Sequence, residues 1–436
     1  MTRRVSLFAL VLTVVLPLGL AAQAPVKVFA GARLLPIAGA AIEDGVLVVQ
    51  DGRILAIGKR GSVRVPAGAE TVEMGGKTIM PGLVDSHSHI GDADGADRSS
   101  PIQGDVRILD ALDARASTIQ RAQAGGITSV NVMPGSGHLM SGQTVYLKLR
   151  DVGTIDELLF CRNATTEVCG GLKMANGTNP RGAAPFPGTR AKAAALVRDK
   201  FVKAVEYRAK LRAAGADSSK RPPRDLELET LVEVLDGRRV VHHHSHRHDD
   251  ILTTIRLAQE FGYKLVLQHV SDGWKVAKEI AAAGVPASVI VLDSPGGKLE
   301  ALDVSMETSA ALVKAGALVG FHTDDGITDS RFFLRSAGLA VRAGLPRQAA
   351  LEALTINNAR MLDIADRVGT LEVGKDADFI VLSGDPLSVY THVLETWVEG
   401  RRVFDLADPS DRRFAVGGYG VMRGGLALAH DGMEDH

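Results

Sequence analysis

The stretch Met80–His89, MPGLVDSHSH, runs from apolar Leu83 and Val84 into Asp85, after which His87 and His89 stand one residue apart. On an extended strand alternate side chains share a face, so both imidazoles point the same way. The pattern returns downstream. In RVVHHHSHRHDD (Arg239–Asp250) a histidine run follows Val240 and Val241, and strand parity sets His242 and His244 on one face and His243 on the other. KLVLQH (Lys264–His269) is an apolar run ending in a histidine, and ALVGFHTDD (Ala317–Asp325) is another ending in two aspartates. A lone strand-end histidine is more often structural, and a histidine run is often merely solvated. Strand ends bearing HxH, His, His and Asp in that order point instead to one convergent site.

Around these ends the middle of the chain alternates. Strand-like runs fall at Ile79–Val84, Ile127–Val132, Leu158–Phe160, Leu172–Met174, Arg239–His242, Lys264–Leu267, Ala287–Leu292 and Leu318–Phe321. Helical periodicity separates most of them, at Val106–Ala124, Arg190–Ala213, Asp249–Phe261, Lys275–Ala283 and Ser305–Lys314. Strands alternating with helices predict an α/β fold, a parallel (β/α)₈ TIM-type barrel whose active site lies at the C-terminal strand ends. Both chain ends read differently. Val26–Thr78 is β-like with a hairpin signal at Asp51-Gly52, and Asp378–Leu382 and Thr396–Val403 are again strand-like around Glu399-Gly400. The expected organisation is a β-sandwich domain built from residues 25–79 and 366–405, a barrel over 80–365 and an irregular tail over 406–436.

The 436 residues suffice for both domains, and 45% hydrophobic against 23% charged residues is an ordinary globular balance. Lys plus Arg (50) nearly cancels Asp plus Glu (51), which gives no electrostatic case for nucleic acid or an anionic membrane as partner. A small-molecule substrate is the expected partner, and a homo-oligomer is compatible with the composition. Residues 1–24 have the layout of a secretory signal peptide: Arg3 and Arg4, an apolar run over Val5–Leu20, then Ala21, Ala22 and Ala24. An uncleaved anchor is the alternative, disfavoured by the short run and by Pro17 and Gly19 near its end. Cleavage after Ala21 or Ala24 would leave an exported, periplasmic or secreted chain with no membrane attachment. Cys161 and Cys169 are too few for a structural zinc site, and their spacing alone leaves pairing open.

The ordering of these motifs resembles the amidohydrolase superfamily, in particular its branch of imidazolonepropionase-related and exported prolidase-like metallohydrolases. MPGLVDSHSH is similar to that family's first-strand metal motif, HSHRHDDI (His244–Ile251) to the fifth, LQH to the sixth and HTDD to the eighth. LTINNARML (Leu354–Leu362) and VGTLEVGKDADFIVLSGDP (Val368–Pro386) resemble the segment where such chains leave the barrel. The resemblance implies a divalent metal, zinc by default and one ion or two, held by His87, His89, His244, His269 and Asp324. It also implies a glutamate or a carboxylated lysine from the third or fourth strand. Lys173, in GGLKMANGTNPRG, is the candidate, its alternative being a lysine paired with a nearby acid. Related chains carry Gly-Glu-Asn-Pro where this one has Gly177-Thr178-Asn179-Pro180, which removes one carboxylate.

The activity implied is hydrolysis of an amide-type carbon–nitrogen bond in a small substrate. A divalent ion lowers the pKa of its bound water to about 7, and Asp324 is the expected general base. A prolidase-like dipeptidase or acyl-amino-acid hydrolase is the nearest alternative, and a metal-binding accessory protein of the same fold is the non-enzyme one. His246, His138 in GSGHLMSG and Arg331 are candidate substrate contacts, Arg331 for a carboxylate; each has a bland reading as a surface group. Asp293–Lys298, DSPGGK, lacks the GxxxxGK[ST] spacing of a phosphate loop and reads as a plain loop that could line the pocket. No GxSxG marks a serine hydrolase.

Overall fold

The computed structural model describes residues 25–290 and 298–418. Strands β1 (Lys27–Leu34), β2 (Ile42–Gln50), β3 (Arg53–Lys59), β4 (Glu70–Glu73) and β5 (Thr78–Pro81) come from the N-terminal part. β6 (Leu83–Ser88), β7 (Ile127–Val132), β8 (Met140–Gln143), β9 (Val145–Lys148), β10 (Leu172–Ala175), β11 (Val241–Ser245), β12 (Leu265–His269), β13 (Ala287–Val289) and β14 (Val319–Phe321) follow. β15 (Phe379–Leu382), β16 (Val393–Val398) and β17 (Arg401–Asp405) return to the first group. One mixed sheet, ordered β17-β16-β15-β5-β1-β2-β3 with β4 beside β1, joins the two chain ends. Both expected hairpin turns are present: Asp51 and Gly52 have φ of 49° and 77°, Glu399 and Gly400 48° and 69°. Two positive φ values in a two-residue loop match the right-handed twist of the flanking strands. Phe29, Phe379 and Trp397 pack at the centre of this sheet's core, with ring centroids 4.9 to 5.5 Å apart.

The middle of the chain is a TIM-barrel-type α/β fold with mixed sheets. β10 to β14 are parallel neighbours, as are β6 and β7. The third position differs from expectation. Leu158 closes a short helix, Ile155–Leu158, and Leu159 makes only an isolated bridge to Leu147. In its place β8 pairs antiparallel with β10 and β9 antiparallel with β7, so one run of chain bridges the two sheets. Its residues, MSGQTVYLK, break strict apolar periodicity and so gave no strand signal. The helix expected over Val106–Ala124 is regular only at Ser117–Ala124, and the tail contains a helix at Pro409–Val416, capped by Asp408, whose carboxylate accepts from the Ser410 N–H. Proline at the first turn and an aspartate cap are strong start signals. The proposed leader and the DSPGG part of the loop after β13 lie outside the described residues. Among the described residues no helix is long and apolar enough to cross a membrane.

β14 meets β6 through side chains. Asn358, in the helix Ile356–Met361, donates through Nδ2 to Val84 O (2.5 Å) and Phe321 O (2.6 Å), one carbonyl from each strand. Asp85 accepts from the Thr323 backbone N–H at 3.1 Å and from its hydroxyl at 2.5 Å. A second buried pin joins barrel and terminal sheet: the fully buried Lys148 ammonium on β9 pairs with Asp376 and, at 2.7 Å, with Asp378. Cys161 and Cys169 form a disulfide, with Cα atoms 5.4 Å apart. Asn358→Ala leaves two buried carbonyls without donors, so stability should fall by roughly 2–4 kcal/mol, read as a lower urea midpoint at unchanged slope.

Candidate active site

The polar groups gather where the barrel strands end. Alternation along β6 aims His87 and His89 inward, with their Nε2 atoms 3.3 Å apart. His89 donates through Nδ1 to Met133 O at 2.8 Å, which leaves its Nε2 as the lone-pair nitrogen. The Asp324 carboxylate reaches both rings, 3.1 Å from His87 Nε2 and 3.0 Å from His89 Nε2. Lys173 on β10 is fully buried, with Nζ 3.0 Å from His87 Nε2 and 3.2 Å from Met133 Sδ.

On the far side stand His244 and His246 of the β11 end and His269 of the β12 end. Rings of His244 and His269 lie 4.3 Å apart, and His246 stacks on His269 at 5.0 Å. Strand alternation alone would not put His269 here, because its neighbour Gln268 already faces inward, with Nε2 3.3 Å from His242 Nδ1. The backbone resolves the conflict: His269 has φ of 69° and Val270 of 56°. Asp324 is similar at φ 49°. The left-handed region costs a side-chain-bearing residue about 1–2 kcal/mol, and such strain collects at functional sites.

Three groups of donor atoms lie within coordinating reach of one another: His87, His89 and Asp324; His244, His246 and His269; and His87, His269 and His322. Burial pushes the pKa of His87, His244, His246 and His269 well below the usual imidazole value, so the rings are neutral and keep a lone pair. Burial opposes ionisation of Asp324, but the adjoining His87 and His269 outweigh it and hold the carboxyl well below its ordinary range. Both ring nitrogens of His244, and Nε2 of His246 and of His269, are buried without a hydrogen-bond partner. Neutral imidazoles with orphaned nitrogens around an anionic carboxylate are a donor set that fits a divalent cation.

Of the other expected residues, His246 joins this gathering, its Nδ1 2.7 Å from Ser271 Oγ and its Nε2 turned inward. His138 is in the neighbouring loop wall, donating to Asp97 O and packing 5.4 Å from Phe186. Arg331 is not brought to the cluster: its guanidinium grips Asp329 in bidentate fashion (2.7 and 3.0 Å) and donates to Gly417 O at 2.7 Å. Two residues escaped the sequence reading. His322 sits between His269 Nδ1 (3.2 Å) and Ser288 Oγ (2.8 Å), and its shared parity with Asp324 was the available signal. Glu300 is buried in the loop after β13, accepts from the Thr178 N–H at 2.8 Å and comes within 4.0 Å of His244 Nε2. A carboxylate therefore stands beside Thr178 after all, delivered from a loop distant in the chain.

A TIM-barrel-type fold with such a gathering at its strand ends is an arrangement suited to a hydrolase. The profile of the Amidohydrolase family matches residues 78–404. A solved amidohydrolase from Thermotoga maritima MSB8 is 34% identical, superposes with a TM-score of 0.81, and is aligned over 87% of this chain and 100% of its own. Imidazolonepropionase of Rhizobium rhizogenes is 26% identical over 82% of this chain and 91% of its own length. Amidohydrolase tasK of Hapsidospora irregularis is 26% identical over 83% of this chain, which spans only 40% of that larger protein. The chain belongs to the amidohydrolase family, hydrolases that act on carbon–nitrogen bonds.

Since His269 belongs to two donor groups and His138 to none, chelator-stripped His269→Ala should bind zinc at least about tenfold more weakly than wild type. His138→Ala should stay within about twofold, both read by competition with a chromophoric chelator.

Proposed function

We propose that this chain is an exported, divalent-metal-dependent amidohydrolase that cleaves an amide-type carbon–nitrogen bond in a small substrate. The carrying observation is that His87, His89, Lys173, His244, His269 and Asp324, from five strand ends, close on one buried region. These six residues would hold the metal, and zinc suits a set dominated by neutral imidazole. A bound ion of this kind supplies Lewis acidity that activates water and polarises a carbonyl near neutral pH.

The rest of the chemistry falls to the chain. Asp324 is anionic, and its side chain keeps 16% exposure towards the mouth, so its carboxylate can take a proton from attacking water and return it to the leaving nitrogen. His246, held at Nδ1 by Ser271, presents Nε2 towards the reacting carbonyl. Burial pushes the Lys173 pKa down to about 7, so a large share of the amine is neutral, the form that can capture carbon dioxide as a carbamate and so offer an anionic ligand. Export rests on the leader-like residues 1–24, and the Cys161–Cys169 disulfide supports an oxidising compartment.

A dipeptidase or acyl-amino-acid hydrolase is the narrower form of this reading, while a metal-binding accessory protein is the rival. Asp324→Asn separates them. An enzyme should lose about 10²–10⁴-fold in kcat on a panel of dipeptides, N-acyl amino acids and cyclic imides, at matched metal content. If metal-loaded wild type turns over no panel member, and the variant differs only in metal affinity, the enzyme reading fails. For export, N-terminal sequencing of the periplasmic or secreted protein should begin at Ala22 or Pro25; retention of Met1 in the cell fraction would refute it.

A further inference from the structure

Lys298 follows β13 in the chain and leads into the short 3-10 turn Leu299–Ala301. Its ammonium donates to Asn179 Oδ1 at 2.9 Å and lies 3.8 Å from Glu300 Oε1, too far for a hydrogen bond. Glu300 Oε1 is in turn 4.0 Å from His244 Nε2, so the ammonium and a proposed metal-holding imidazole flank the same carboxylate. Among the described residues Asn179 is the one hydrogen-bond partner of Lys298, and an ammonium carries three donors. The side chain keeps 26% of its surface open.

The surroundings are built to hold this geometry. Glu300 is clamped through Oε2 by the Thr178 N–H, with Arg190 at 3.7 Å. Gly177 has no room for a side chain, since a Cβ there would come within 2.4 Å of Glu300 Oε2. Glu300 thus balances the Lys298 charge without consuming its hydrogens. Arg331, the cation that sequence spacing offered for a substrate carboxylate, is spent on Asp329 and Gly417.

We infer that Lys298 is the anion anchor of the active site, its ammonium gripping a carboxylate on the substrate. The compounds cleaved are then N-acyl amino acids or dipeptides with a free carboxylate, rather than neutral amides. This rests on the hydrolase reading above and names its substrate class.

The test uses the full, zinc-loaded chain and matched probes: N-acetyl-L-amino acids with apolar, acidic and basic side chains, each beside its C-terminal amide. Wild type should favour the free acids by about 10–100-fold in kcat/KM, mostly through KM, the span of a charge-assisted hydrogen bond. In Lys298→Met the acid-to-amide ratio should collapse towards one, and Lys298→Arg should retain most of it. Zinc content and melting temperature are measured on each variant. A wild type indifferent to the carboxylate, or a preference that survives Lys298→Met, overturns the anchor while leaving the hydrolase intact. A Lys298→Met protein that melts lower and loses acids and amides equally marks Lys298 as a pin for Asn179, which also overturns it. Failure of wild type on every probe overturns the anchor and its substrate class, while the dipeptides and cyclic imides of the wider panel decide the hydrolase reading separately.

Discussion

The closure of β14 onto β6 is the constraint on which the rest of the structure depends. Two strands far apart in sequence meet here without a regular ladder of backbone hydrogen bonds between them. Side chains do most of the joining: Asn358 bridges the carbonyls of Val84 and Phe321, and Asp85 takes the N–H and hydroxyl of Thr323, while one backbone bond, Asp324 N–H to His87 O at 3.0 Å, adds to them. The side-chain bonds from Asn358 and Asp85 are buried, where an unmet polar group would cost about 1–3 kcal/mol. The same contacts bring Asp324 beside His87 and His89. The contacts that join β14 to β6 and those that set Asp324 at the site are therefore shared.

Within the mouth, burial and strain act together. Desolvation keeps the imidazoles neutral, while positive φ at His269 and Asp324 turns side chains inward at the strand ends, where His269 could not face the cluster by alternation alone. Neither feature favours folding by itself. Both are tolerated because the surrounding layers are held firmly, among them the pin that ties Lys148 to Asp376 and Asp378 across the junction with the terminal sheet. A buried ammonium between two carboxylates costs much if one partner is lost, so both aspartates are needed for Lys148 to be held there.

Where alternation governed, the sequence could be read residue by residue. His87 and His89 share a face, His242 and His244 share another, and His243 points away to Ser245 Oγ (3.3 Å). Both two-residue hairpins were legible because Asp-Gly and Glu-Gly pairs suit two consecutive positive φ values. The third barrel position was not, since β8 and β9 are short, mixed in polarity and antiparallel to their neighbours. Their strand identity comes from the gap between β7 and β10 that they fill.

Local pattern alone determined that histidines and aspartates would stand at successive strand ends, because side-chain period is a property of the backbone and needs no neighbours. It also determined the alternation of strand and helix from which a barrel follows. Only the tertiary structure decided that His322 and Glu300 would join them, that Arg331 would be drawn off to Asp329, and that Lys298 would stand beside Glu300. These depend on where loops from different strands cross in space, and a Coulomb or hydrogen-bond partner many residues away leaves no periodic trace in the chain.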